Sequence, residues 1–349
     1  MICSTCGLPR GIGKANLWEQ GGIIVSKYSH DTRGILCDVD ELKHMVDSLS
    51  ARIGYDITPL IIEGKRQDAK LYAQKMLEHL VASGIEPPAP EDFMRGMSAN
   101  YSIPGFGRME MIDYFKGKSV TLKAEDIYNV PMCMGQAAGI FEAVLGRHGE
   151  VAWEGDEHNG LLHLTVGEDE SERTRRMESV VEAESSVIEE NEADLEHCPE
   201  CRAPRDLSRD FIWDIERARI EEKRTAKRFI FDNSAGINAV VRVLREELGD
   251  EVEQLLTDIA REYAVEYYTP LRKASSMREE FSLYALAGWG AMEELRESAE
   301  GYTLRLVNSY YPSILAGRTW GLMEVFSDRE LGMRSQAGAG GAVELFLNS

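Results

Sequence analysis

The chain is short of positive charge: 39 lysines and arginines stand against 60 acidic residues, leaving a formal charge of −21 over 349 residues. A surface of that sign repels a phosphate backbone, and no Lys/Arg stripe interrupts it, so nucleic acid drops out of the expected partners. Cysteine is scarce as well. Six in all are too few to staple a chain of this length as a disulfide scaffold. There is neither a basic-then-apolar leader nor an apolar run of about 18 residues, the length that a membrane span requires. These absences predict a soluble protein in a reducing, cytoplasmic setting.

Catalytic signatures are also missing: there is no nucleophile elbow, Walker loop or His-Glu-x-x-His. Glu154, Asp156, Glu157 and His158 fall at an expected hairpin turn, where charged residues are ordinary. The glycine run from Ala337 to Gly341 does not follow a strand and open a helix, so a phosphate cradle is not expected there. Nothing in the sequence demands an enzyme.

What is present is a repetition. Cys3-x-x-Cys6, Pro9-Arg10 and Trp18 recur 195 positions later as Cys198-x-x-Cys201, Pro204-Arg205 and Trp213. The register continues through Arg33/Arg228, Ile35/Ile230, Leu42/Ile237, Leu49/Leu244, Gly54/Gly249, Ala69/Ala264 and Tyr72/Tyr267. Farther on, at a slightly shorter offset, Gly105-Phe106-Gly107 is answered by Gly288-Trp289-Gly290, and Gly139 with Glu142 by Gly321 with Glu324. The Pro-rich stretch at 86–91 has no equal in the second half and accounts for most of the shortening. The chain is a tandem duplication with a first module over 1–167, an acidic linker over 168–196 and a second module over 197–349. The linker carries twelve Asp/Glu against three Arg; it reads as a solvated spacer, with a docking segment for a basic protein partner as the alternative.

Local patterning places two strands in GIIVSKYSHDTRGILCDV around a turn at His30-Asp31, then a helix whose apolar positions Leu42, Met45, Val46, Leu49 and Ile53 stop at Gly54. A second helix over 57–81, a short one over 92–99, a hairpin turning at Lys116-Gly117-Lys118, a helix over 132–145 and a last hairpin complete the module. Helices and antiparallel hairpins come in blocks, which predicts an α+β fold with helices packed on a sheet in each module.

The two Cys-x-x-Cys turns are the strongest chemical signal. Each sits among glycine or proline, so both thiolates of a pair can face one ion, and two pairs complete a closed tetrahedral shell. Cys3, Cys6, Cys198 and Cys201 are therefore expected to share one structural zinc between the halves. Free thiols, a local redox pair and an iron-sulfur centre compete with that reading. Neither pair opens a helix after a strand as a thioredoxin-type motif does, and Gly7 and Arg202 stand where a c-type haem needs histidine. His197 is a candidate substitute for one thiolate. Cys37 reads as a structural thiol, and Cys133, between Met132 and Met134 at a helix entry, as core or as the wall of a pocket.

The module order, with a Gly-aromatic-Gly entry to a hairpin (Gly105 to Gly107, Gly288 to Gly290) and Tyr128-Asn129 before the helix holding Gly139-Ile140-Phe141-Glu142, resembles the 4-vinyl reductase-like, or hydrocarbon-binding, domain. Members of that family serve as small-molecule sensors of aromatic-degradation regulators and as accessory proteins of bacteriochlorophyll synthesis, and are related to transport-particle subunits and haem-based nitric-oxide sensors. The resemblance implies the ligand-binding fold of that type, with a cavity between helices and sheet. Phe106, Met132 and Met134 would line it in the first module, and Trp289, Tyr310 and Trp320 in the second. It implies a non-catalytic binding, sensor or carrier protein for a small hydrophobic, aromatic or tetrapyrrole ligand. An accessory factor or enzyme of aromatic or tetrapyrrole reduction and an assembly scaffold are the alternatives. The late cysteines that hold metal in several relatives are absent here, around Trp153 to Val166 and from Arg329 on, so that site does not carry over. The duplication predicts an intrachain pseudo-dimer, hence a monomer, with a homodimer as the alternative.

Overall fold

The computed structural model describes residues 2–27, 32–168, 174–177, 195–338 and 341–348. The turn expected at His30-Asp31 and most of the acidic segment 168–196 lie outside them. The first half runs α1 (Arg10–Ala15), β1 (Asn16–Glu19), β2 (Ile23–Ser26), β3 (Arg33–Asp38), α2 (Val39–Ile53), α3 (Thr58–Ala82), α4 (Pro90–Ala99), β4 (Arg108–Phe115), β5 (Ser119–Glu125), α5 (Val130–Leu145), β6 (Gly149–Gly155) and β7 (Gly160–Val166). The second half repeats it as α6 (Arg205–Asp210), β8 (Phe211–Asp214), β9 (Arg219–Glu222), β10 (Arg228–Asn233), α7 (Ser234–Leu248), α8 (Glu251–Tyr268), α9 (Met277–Ala287), β11 (Ala291–Ser298), β12 (Gly301–Val307), α10 (Pro312–Ser327), β13 (Gly332–Ala337) and β14 (Val343–Asn348).

Chemistry at the ends explains where the helices start. Asp38 accepts the Asp40 N–H ahead of α2, and its repeat counterpart Asn233 accepts the Gly236 N–H ahead of α7. Asn129 does the same for α5 through the Met132 N–H, with Pro131 in the first turn. Gly54 and Gly146 end α2 and α5 in the left-handed conformation.

Each half has its own four-stranded antiparallel sheet, in the order β4-β5-β7-β6 or β11-β12-β14-β13. Alternate residues of the inner strands, Val120, Leu122, Leu162 and Leu164 in the first sheet and Leu304, Leu306, Leu345 and Leu347 in the second, are buried. The fold is therefore α+β with antiparallel sheets. Two helices are paired in each half, α3 with α5 and α8 with α10. Gly135 and Gly139 let α5 approach α3 so closely that a Cβ would fall 2.3 Å from the Ile62 carbonyl oxygen and 2.1 Å from that of Arg66; Gly317 and Gly321 meet Thr257 and Arg261 in the same way.

The remaining strands form a third sheet to which both halves contribute, β1-β2-β3-β10-β9-β8. In the central antiparallel pair Leu36 stands opposite Phe231, its own counterpart in the repeat, so a twofold pseudo-axis passes through that pair. The hairpins are exchanged. Trp18 donates its indole N–H to Leu286 and Trp213 donates to Ile103, each a carbonyl of the other half. Arg33 caps the Gly288 and Asn308 carbonyls, as Arg228 caps those of Gly105 and Asp126. Helix α2 packs on α8 and α7 on α3. Sequence patterning places each hairpin within its own module; the structure lays it against the helices of the other. Periodicity encodes which face of an element is buried, but not which copy covers it.

Candidate metal centre and cavity

The knuckles are two copies of one turn. The Cys3 N–H donates to Leu8 and the Gly7 N–H to Cys3, while Cys198 donates to Ala203 and Arg202 to Cys198. The fifth residue of each turn has a positive φ, 76° at Gly7 and 68° at Arg202. Arginine carries a steric cost there that glycine escapes. Helix α1 touches the second turn directly: a Cβ on Gly13 would lie 2.3 Å from the Cys201 carbonyl oxygen. Glu200 of the second knuckle accepts hydrogen bonds from Thr5 and Ser4 and pairs with Arg10 of the first. The Thr5 bond and its neighbours bring that carboxyl down to about 2.

Four sulfurs each about 2.3 Å from one tetrahedral ion lie about 3.8 Å apart. Cys3 and Cys198 Sγ are 3.8 Å apart, Cys6 and Cys201 3.4 Å, and all four lie within 4.8 Å of one another. Cys3, Cys198 and Cys201 are buried and Cys6 is half-buried. Burial pushes the Cys6 thiol upward; at Cys198 burial is outweighed by backbone N–H donors of Cys201 and Glu200, which bring it down to about 7. Four crowded thiolates require a cation to coexist, and these residues can hold a metal ion. The cluster comprises the four cysteines; His197 instead forms an isolated β-bridge to Pro204. Cys37 and Cys133 are buried apart from it. Cys133 accepts a hydrogen bond from the Tyr101 hydroxyl at 2.9 Å, and burial raises it to about 12.

A cavity of about 980 Å³ opens between α3, α4, α5 and the central sheet, at the upper end of the size usual for small-molecule sites. Met76, Met97, Phe106, Ile140 and Phe231 give it apolar walls, with Tyr72 at its side and Asp68 and Asp232 at its floor. The Lys65 ammonium, 1 % exposed, lies 3.2 Å from Asp68 and 2.8 Å from Asp232. In the second repeat the equivalent space holds side chains. Tyr267, the counterpart of Tyr72, is 2 % exposed against 41 %. Arg318, which stands where the first repeat has Gln136, lies 4.0 Å above the Trp289 ring and pairs with Glu41.

Of the residues expected at a pocket, Phe106 lines this cavity and stacks on Tyr128, with ring centroids 5.2 Å apart. Met132 faces a separate apolar space of about 50 Å³ beside Leu42, Ile61 and Ile237, and Met134 packs half-buried against the core of the first sheet. Trp289 is held between Arg318 and its bond to the Leu36 carbonyl. Tyr310 is buried in the core, and Trp320 binds the Leu331 carbonyl beneath Arg261. The sequence reading missed Asp68, Asp232, Tyr72 and Arg318; a residue-by-residue comparison of the copies, Gln136 against Arg318 above all, carries the signal. Glu154, Asp156, Glu157 and His158 are exposed at the β6–β7 turn, where Asp156 accepts the N–H groups of His158 and Asn159. No helix among the described residues is long and apolar enough to cross a membrane. No protein-family model, curated protein or solved structure matches the chain.

Proposed function

We propose that the protein is a non-catalytic binding protein, built from two 4-vinyl reductase-like modules whose knuckles share one structural zinc, and that the cavity of the first repeat receives a small, largely apolar ligand. The observation that carries this reading is the pairing of an open cavity with a filled one: the second repeat packs the space with its own side chains and so braces the first. Zinc fits the cluster because a closed four-thiolate shell satisfies an ion without geometric preference. A two-iron cluster would divide its ligands between two metals and hold the pairs farther apart.

Elemental analysis of protein purified without an affinity tag is expected to find one zinc per chain and no visible absorbance, with the metal lost in Cys3→Ser and in Cys198→Ser. Iron, or a metal retained in either variant, would sink the shared site. The cavity is tested separately by calorimetric titration with benzyl alcohol. Binding should weaken in Met97→Trp, whose indole crowds the apolar wall of the cavity; an affinity left unchanged would place the ligand elsewhere.

A further inference from the structure

The two repeats differ in the chemistry of this cavity as well as in its filling. The backbone fixes the correspondence, because Gly135 and Gly317 sit over the equivalent carbonyls of Ile62 and Thr257. Gln136 and Arg318 therefore occupy the same place. In the second repeat the space holds two cations over aromatic rings: the Arg318 guanidinium is 4.0 Å from the Trp289 ring and 5.3 Å from that of Tyr267, and the Lys227 ammonium is 5.2 Å from Tyr263. The first repeat keeps aromatic walls, with Phe106 for Trp289 and Tyr72 for Tyr267, but replaces both cations by neutral Gln136 and Thr32. It also exchanges carboxylates: Asp68 stands where the second repeat's space has Tyr263 and Asp232 where it has Cys37, while Glu41 and Asp38 of that space give way to Gly236 and Asn233.

Both carboxylates line the cavity, and Lys65 reaches them from behind its wall. One ammonium shared by two carboxylates leaves one negative charge in surplus, on side chains 7 % and 4 % exposed. A buried charge without its counterpart is costly. Burial accordingly pushes the Asp68 carboxyl above its ordinary range. At the mouth, Lys75 and Glu78 carry opposite charges, with His79 beside them.

We propose that the cavity of the first repeat binds a flat organic cation, an aryl amidine, guanidine or amine, whose ring lies against Phe106 and Tyr72 and whose charged head meets Asp68 and Asp232. The ligand thus takes the part that Arg318 plays in the second repeat, where a planar cation on an aromatic face is part of the chain. This assignment rests on the reading of the cavity as a ligand site.

The test is calorimetric titration of the metal-loaded full chain with benzamidine, its neutral isostere benzamide, and benzoate. Benzamidine is expected to bind about tenfold tighter than benzamide or more, the weight of a charge-assisted hydrogen bond, with benzoate failing to bind. Gln136→Arg, which installs the second repeat's own cation, should abolish benzamidine binding while its unfolding midpoint shows that it remains folded. Asp68→Asn should weaken benzamidine by a larger factor than it weakens benzyl alcohol. Benzamide equal to benzamidine, with benzyl alcohol bound, would overturn the cation assignment and leave an apolar site standing. Benzamidine bound undiminished by Gln136→Arg would overturn it as well. Failure of both benzamidine and benzyl alcohol to bind would remove the ligand site itself.

Discussion

Asp38 shows how a single position is set by its surroundings in this chain. It caps α2, and its second oxygen receives the Tyr263 hydroxyl at 2.5 Å inside the filled space of the second repeat. Burial, with Glu41 adding repulsion, raises its pKa from 3.8 to about 6 against the opposing pull of Tyr263 and Arg318. The folded state therefore holds this proton more tightly than the unfolded chain does. Well below pH 4 the group is protonated in both states and costs nothing. Between about pH 4 and 6 the unfolded chain ionises this group while the fold keeps it protonated, so the penalty grows there and levels off above 6 at about 3 kcal/mol. Asp38→Asn keeps an oxygen for the Asp40 N–H and removes the ionisation. The stability of this variant relative to the natural chain should rise by about that amount between pH 4 and pH 6.5. Urea unfolding of the two proteins at both ends of that range measures it, and a difference that stays flat with pH would show that Asp38 ionises freely in the fold.

Among the elements, the helix pairs α3/α5 and α8/α10 hold each repeat together, and their glycines decide how closely they pack. Gly317→Ala would gain about 1 kcal/mol of helix propensity, but its Cβ would lie 2.0 Å from the Thr257 carbonyl oxygen, backbone that cannot swing aside. Steric conflict wins, and the net cost should be about 1 to 3 kcal/mol. Gly96, inside α4 and exposed, has nothing within 4 Å of its would-be Cβ. Gly96→Ala should stabilise by up to about 1 kcal/mol. Thermal unfolding midpoints that move in opposite directions for the two variants bear out this view of the contacts. Equal shifts would refute it. The same elements mark what the sequence discloses. α2, ending at Gly54, and the β4–β5 hairpin, turning at Gly117, follow from local periodicity and turn chemistry because their signals lie within a few residues. The cysteine cluster is legible because the motif occurs twice. The cavity is not, since it depends on which side chains happen to fill the space between α3, α5 and the sheet: Arg318 fills one copy and Gln136 leaves the other open, although both lie on helices with the same pattern.

At the scale of the molecule, exchange of the hairpins makes the two halves a single folding unit. β3 pairs with β10, each tryptophan of the hairpins bonds the opposite half, α2 packs on α8 and α7 on α3, and the knuckles meet at four cysteines. An ordinary contact between domains of one chain is modest and separable; here the central sheet itself would have to be broken. The segment 168–196 is then expected to keep the halves at high local concentration during folding, and not to hold them together afterwards. A protease site inserted between residues 185 and 186 and cut in the folded protein should yield two bands under denaturing conditions and one peak, at the size of the intact chain, in native gel filtration at micromolar concentration. Under the proposal of a shared metal, a chelator added before cutting should lower the unfolding midpoint without splitting the peak, because the strand pairing and both tryptophan bonds remain. Halves that separate on cutting alone would mean that the linker supplies the cohesion here assigned to the exchanged hairpins. Halves that separate only after chelation would transfer that role to the four cysteines.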